Sequence, residues 1–153
     1  MIKIITLFAT IMLANMAHAQ NFNMDYNPEM LIKYRQDFMT AVKGHNNAIK
    51  AIVNDAVPYH NHLSLHISSL EKMFDEIGSL FPEGSDFGET NAKDTIWTQA
   101  DKFQQTITEA KQALATFKQV VEQGDKEKTS AAFKQFGRSS CGSCHKSFKK
   151  KQD

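Results

Sequence analysis

The chain predicts an all-α fold, an antiparallel four-helix bundle, and three observations carry that expectation. Apolar residues recur at three- and four-residue spacing in four separate stretches. No stretch shows the apolar–polar alternation of a strand. Short connections and one longer irregular segment join the stretches, as in a bundle.

Residues 1–19 stand apart from this pattern. Lys3 gives a positive start, and Ile4 to Ala14 form an apolar run short of the roughly twenty residues a bilayer needs. Ala17-His18-Ala19 has the small-x-small form of a cleavage site, so a signal peptide over residues 1–19 is expected, with Gln20 opening the mature chain. Residues 20–153 then make a single domain.

Asn27-Pro28-Glu29 reads as a helix start, with a capping side chain, a proline in the first turn and an acid favoured by the helix dipole. Leu31, Tyr34, Phe38, Val42, His45, Ile49, Ile52 and Ala56 follow at helical spacing until Pro58, predicting a first helix with that face buried. Leu63, Ile67, Leu70, Phe74 and Ile77 mark a second helix, stopped by Gly78. Ser79 to Lys93 holds Pro82, Gly84 and Gly88 without periodicity and reads as a crossover between bundle halves. A third helix opens near Asp94, with a seam of Ile96, Ala100, Phe103, Ile107, Ala110, Leu114, Phe117 and Val121, and Gly124 closes it as a left-handed cap. Asp125 caps a fourth, in which Phe133, Phe136, Ser140, Cys144 and Phe148 share a face.

The chain has 18 basic and 17 acidic side chains, and one of the lysines lies in the leader. The remainder balances, leaving no net field to attract nucleic acid. Both of the two cysteines belong to one motif, so no disulfide framework is available.

That motif is Cys141-Gly142-Ser143-Cys144-His145, the attachment pattern of a c-type haem. Each thiol can add across one haem vinyl group, and His145 can bind the iron. On a helix, residues at i, i+3 and i+4 share a face, and three residues span about 4.5 Å of axis, within reach of one macrocycle. A redox dithiol would sit in a strand–helix–strand setting, and a zinc site would need a second cysteine or histidine pair. One covalent haem c per chain is therefore expected. In bacteria such attachment takes place outside the inner membrane, which agrees with the leader and places the protein in the periplasm.

Other residues admit two readings each. Met39 is core filling or a thioether ligand to iron. His62 and His66 lie four apart and could share a metal, but no third ligand is evident and solvated histidines are expected. His45 falls on the apolar stripe, where it contacts haem or bonds within the core. Trp97 is expected to pack at a loop–helix junction. Lys146, Lys149, Lys150 and Lys151 suit a helix C-terminus, or they form a docking face for an acidic redox partner.

The chain resembles the cytochrome c-prime family in three blocks. The first is Lys33-Tyr34-Arg35-Gln36-Asp37-Phe38-Met39 with Gly44 and Ala48-Ile49. The second is Phe81-Pro82-Glu83-Gly84-Ser85 leading to Ile96-Trp97. The third is Gly124-Asp125, Ala131-Ala132-Phe133 and the Cys141–His145 motif near the end of the chain. The resemblance implies haem lodged between the helices, His145 as proximal ligand and a distal side lined by the first helix. It places Met39, three residues after the Arg-Gln pair, opposite the iron, with Phe38 beside the haem and Arg35 near a propionate. Where the family commonly has an arginine after an aromatic, this chain has Phe148-Lys149.

The function implied is that of a one-electron carrier without catalysis, its iron held by His145 and Met39 and its partners periplasmic or membrane redox proteins. The alternative is a five-coordinate haem protein that binds nitric oxide or carbon monoxide. Homodimers through the first two helices are frequent in the family.

Overall fold

The computed structural model describes residues 26–151. The expected leader lies outside them. Helix α1 spans Pro28–Val53, and the Asn27 side chain accepts the Glu29 N–H at 2.9 Å as its cap. Asp55, in the left-handed region at φ 53°, turns the chain after α1. A 3₁₀ turn, His60–His62, leads into α2, Leu63–Glu76, and a second, Ile77–Leu80, follows it. The irregular segment then runs to a single helical turn, α3 (Thr95–Thr98), and on to α4, Ala100–Glu122. Helix α5, Lys126–Gly137, continues through a π-helical turn, Arg138–Gly142, into α6, Ser143–Phe148.

The fold is a four-helix bundle. Helix α1 packs on α2, α2 on α4, α4 on α5, and α5 back on α1. Its connections are short because their end groups are satisfied locally. Gly124, at φ 72°, ends α4 in the left-handed conformation, and Asp125 at once caps α5 by accepting from the Lys128 N–H at 3.0 Å.

The core has two parts. Ile49, Val53, Ile67, Leu70, Phe74, Leu114, Phe117 and Phe136 fill one, with the rings of Phe117 and Phe136 stacked 5.8 Å apart. Ile96, Phe103, Ile107 and Phe148 form the other, and Ile77 packs against both. Between them α1 buries nothing completely. It contributes Ile32 and Arg35 at one end and Ile49, Ile52 and Val53 at the other, with no fully buried residue in between. That gap is where the site lies.

Three departures from the sequence expectation have local causes. In the first half of α1 the inward face is displaced by one residue, about 100° of helix. Ile32 and Arg35 point in, whereas Tyr34 is 62% exposed. The third helix is broken at Gln99 (φ −128°, ψ 48°), which lets Ile96 and Trp97 turn towards the crossover while Ala100 faces solvent. The fourth is interrupted by the π turn. Within the seams Ile67, Leu70, Phe74, Phe103, Ile107, Leu114, Phe117 and Phe136 are buried, whereas Leu63, Ile77, Val121 and Phe133 are half-buried.

Phe117 is 1% exposed and central to the larger cluster. Phe117→Ala is expected to cost about 3–5 kcal/mol, read as a lowered guanidinium midpoint against the parent protein under identical conditions.

Candidate haem site

The bundle's side chains leave a cavity of about 420 Å³ against the middle of α1. Met39, Val42 and Asn46 border it from α1, and Phe74 and Ile77 from the end of α2. Ile96, Phe103, Ile107 and Ala110 line it from α3 and α4, and Ser140, Cys141, Cys144, His145 and Phe148 from the adjoining π turn and α6. The volume lies within the range of cofactor sites, and most of the wall is aliphatic or aromatic.

The π turn presents the motif. The Ser143 N–H bonds back to the Arg138 carbonyl, five residues earlier, which widens the helix where Cys141 leaves it. Gly142 sits at the narrow side of this turn, where a Cβ would lie 3.3 Å from the Gly137 carbonyl oxygen. Ser140 and Ser143 donate to the carbonyls of Phe136 and Ser139 at 2.6 Å each, holding the wider turn. Cys141 and Cys144 are free thiols. Burial and the neighbouring Cys141 push the Cys144 thiol up to about 11, so it stays protonated at neutral pH. His145 is exposed by area, yet the apolar wall on one side desolvates its ring and lowers its proton affinity, with Lys149 adding to the effect. Its lone pair is thus available near neutral pH.

The segment from Phe81 to Lys93 closes the cavity. Arg35, 4% exposed, is the pin that holds it. Its two terminal nitrogens donate to the Leu80 carbonyl (3.3 Å), Ser85 Oγ (3.0 Å), the Ser85 carbonyl (3.0 Å) and Thr90 Oγ1 (2.8 Å). The guanidinium also lies 4.7 Å from the Phe81 ring centre and 5.9 Å from that of Trp97. Trp97 Nε1 donates to the Phe81 and Pro82 carbonyls, both at 3.1 Å. At its far end the segment is tied to α6. The Lys93 N–H donates to the Phe148 carbonyl at 3.0 Å, the Lys150 N–H donates to the Asn91 carbonyl at 2.7 Å, and Lys93 Nζ covers the Lys146 and Ser147 carbonyls.

Arg35, Met39, Cys141, Cys144 and His145 all border the cavity. Arg35 does so with its terminal nitrogens committed to the crossover segment, because that segment brings four oxygen acceptors to it. Phe38 is not among the lining residues. One position before Met39 it is turned about 100° around the helix, and its ring lies against Tyr34 at 6.3 Å. Lys43 and Asn46 are lining residues that sequence reasoning missed as site groups, and Lys149, read there as part of a docking face, also lines the cavity. Their signal was faint: Lys43 and Asn46 fall at four- and seven-residue steps from Met39. His45 is not among the lining residues either, and instead faces His66, with the two Nδ1 atoms 3.0 Å apart.

The residues fit a haem. Arg35, Lys43 and Lys149 are cations at the cavity and no carboxylate among the described residues borders it, which complements a ring carrying two propionates. Asn46 Oδ1 is buried without a hydrogen-bond partner, so the wall is polar at a point the protein itself does not satisfy. Two thiols and an imidazole border the same cavity.

A helical bundle with Cys-x-x-Cys-His facing an apolar interhelical cavity is a c-type haem protein. The comparisons specify the family: the model for cytochrome c' matches residues 30–149, and the chain belongs to that family. It is 27% identical to cytochrome c' of Pararhodospirillum photometricum over 80% of this chain and 98% of that protein. It is also 27% identical to cytochrome c-554 of Cereibacter sphaeroides, over 80% and 95%. Among solved structures, the nitric oxide complex of a variant of cytochrome c prime from Alcaligenes xylosoxidans superposes with a TM-score of 0.71 at 27% identity, covering 82% of this chain and 98% of that one. Proteins of this family carry one covalently bound c-type haem per chain.

Two outcomes follow from the site. Replacing both Cys141 and Cys144 by Ala is expected to abolish covalent attachment, read as loss of haem staining on a denaturing gel, while each single variant retains one thioether. Arg35→Leu is expected to cost more than about 2 kcal/mol, because it removes four hydrogen bonds and leaves buried acceptors unpaired. Faster proteolysis within residues 81–92 than in the parent checks that the loss is in the crossover segment.

Proposed function

We propose that this protein carries one electron at a time, with His145 and Met39 as the two axial ligands of its iron. One observation carries the reading: Met39 on α1 and His145 on α6 border the same cavity, and among the described residues they are the only thioether and the only imidazole that do. Haem, when bound, supplies an iron that gains and gives up a single electron.

The chain's own residues do the rest. Cys141 and Cys144 tether the ring, and His145 offers a neutral nitrogen. The soft Met39 thioether favours the reduced metal and raises the potential. Phe74, Phe81, Phe103 and Phe148 exclude water from the centre. Keeping the same two ligands in both oxidation states limits the rearrangement at each transfer, as a carrier requires and as no chemical transformation would. Export by a cleaved leader to the periplasm is part of this proposal. No helix among the described residues is long and apolar enough to cross a membrane.

Lys146, Lys149, Lys150 and Lys151 are exposed beside the motif, and Lys149 also borders the cavity. They present a positive face to an acidic periplasmic or membrane-bound redox partner at the edge where electrons enter and leave.

A second reading has support from a relative. A variant of the Alcaligenes cytochrome holds nitric oxide in the solved complex. In that reading Met39 packs over the iron without binding it, and the site accepts nitric oxide or carbon monoxide. Absorption spectra of the haem-loaded protein, oxidised and reduced, with and without carbon monoxide, separate the two. The carrier reading expects low-spin spectra in both states and no change on adding the gas. A high-spin reduced spectrum that shifts with carbon monoxide contradicts it. Met39→Leu is expected to create stoichiometric carbon monoxide binding where the parent has none.

A further inference from the structure

We propose that His45 and His66 form a second metal site, separate from the haem, for a borderline divalent ion, with copper(II) preferred over zinc. His45 projects from α1 and His66 from α2, and their Nδ1 atoms face each other at 3.0 Å with ring centres 5.2 Å apart. Both side chains are half-buried. An ion about 2.0–2.1 Å from each nitrogen would hold the two about 2.9–3.4 Å apart for angles between square-planar and tetrahedral. The observed separation falls inside that window, so the two nitrogens already stand at the spacing a shared ion needs, and the rings would only have to turn towards it. As a hydrogen bond, the pair uses one nitrogen lone pair and requires the other ring to carry its proton on Nδ1. A metal ion uses both lone pairs.

A second observation points the same way. His66 and His62, four residues apart, border a cavity of about 210 Å³ between α1 and the start of α2, together with Ala48, Ile52 and Tyr59. Histidines at i and i+4 are a recurrent metal-chelating pair because they share a helix face. His45 does not line this cavity, which leaves space for water only on the His62 side of His66. His62 is exposed, and its ring stacks on Tyr59 at 5.3 Å. Among the described residues no cluster of three ligands is preassembled, so the third position falls to His62 turning from Tyr59, or to water.

The donors fix the class of ion. Imidazole nitrogens suit copper(II), nickel(II) and zinc, whereas calcium and magnesium require oxygen ligands that this pair does not offer. Affinity along the divalent series peaks at copper(II). A bound ion would link α1 to α2 on the side of α1 turned away from Met39.

The test uses the oxidised, haem-loaded protein titrated with copper(II) chloride and separately with zinc chloride. Calorimetry gives stoichiometry and affinity, and electron paramagnetic resonance gives the copper ligands. One equivalent of copper(II) is expected to bind, zinc more weakly, with nitrogen hyperfine structure in the copper spectrum. His45→Asn and His66→Asn should each weaken copper binding by more than about tenfold, while His60→Asn, exposed one turn away, leaves it unchanged. Absence of stoichiometric copper binding overturns the proposal, as does binding that survives both His45→Asn and His66→Asn or is lost in His60→Asn. If either variant fails to load haem, the parent spectrum decides: copper without nitrogen ligands contradicts the site.

Discussion

The rest of this structure depends on a volume that the bundle's own side chains do not fill. The cavity of about 420 Å³ is open on one side and lined mostly by apolar side chains, so without an apolar occupant that surface stays in contact with water. A four-helix bundle with Leu or Phe along the middle of α1 would close over it. Here the inward positions of that stretch are Met39, Val42 and Asn46, and none is fully buried. The haem is therefore a structural part of the core as well as its functional group. Covalent attachment suits that double role, since a tethered group cannot leave and expose the cavity.

Two local features hold the cavity in shape, and both depart from regular helix. The π turn before α6 widens the backbone so that Cys141 joins Cys144 and His145 along one wall. The Arg35 guanidinium draws the carbonyls and hydroxyls of the crossover segment over the far side. A buried cation without a carboxylate partner is costly, and Arg35 offsets that cost with oxygen acceptors and two aromatic faces. The same segment ties itself to the carbonyl end of α6, so a change at Arg35 is felt at the motif.

The periodic parts of the fold were legible in the sequence because burial imposes spacing. The seam of α4 and the stripe of α2 read directly, and the caps at Asn27 and Asp125 stand where residue type put them. The motif was legible because three residue types at fixed spacing have little else to do in a helical chain without strands or a second cysteine pair. What sequence could not give was tertiary. Tyr34 and Arg35 exchange the exposure that polarity alone assigns them, because the crossover segment supplies acceptors to the arginine. The break at Gln99 and the π turn carry no compositional mark. The His45–His66 pair joins residues 21 positions apart on different helices, and Lys43 joins the site only because α1 lies along the cavity.

The central claim is that Met39 and His145 hold one iron from opposite helices in both oxidation states. X-ray absorption at the iron edge of the haem-loaded protein tests it most directly, since it counts sulfur and nitrogen neighbours without regard to the spin state. The account predicts one sulfur and five nitrogens in the ferric and in the ferrous protein, with the sulfur lost in Met39→Leu. Iron surrounded by nitrogen alone in either state of the parent protein would contradict it.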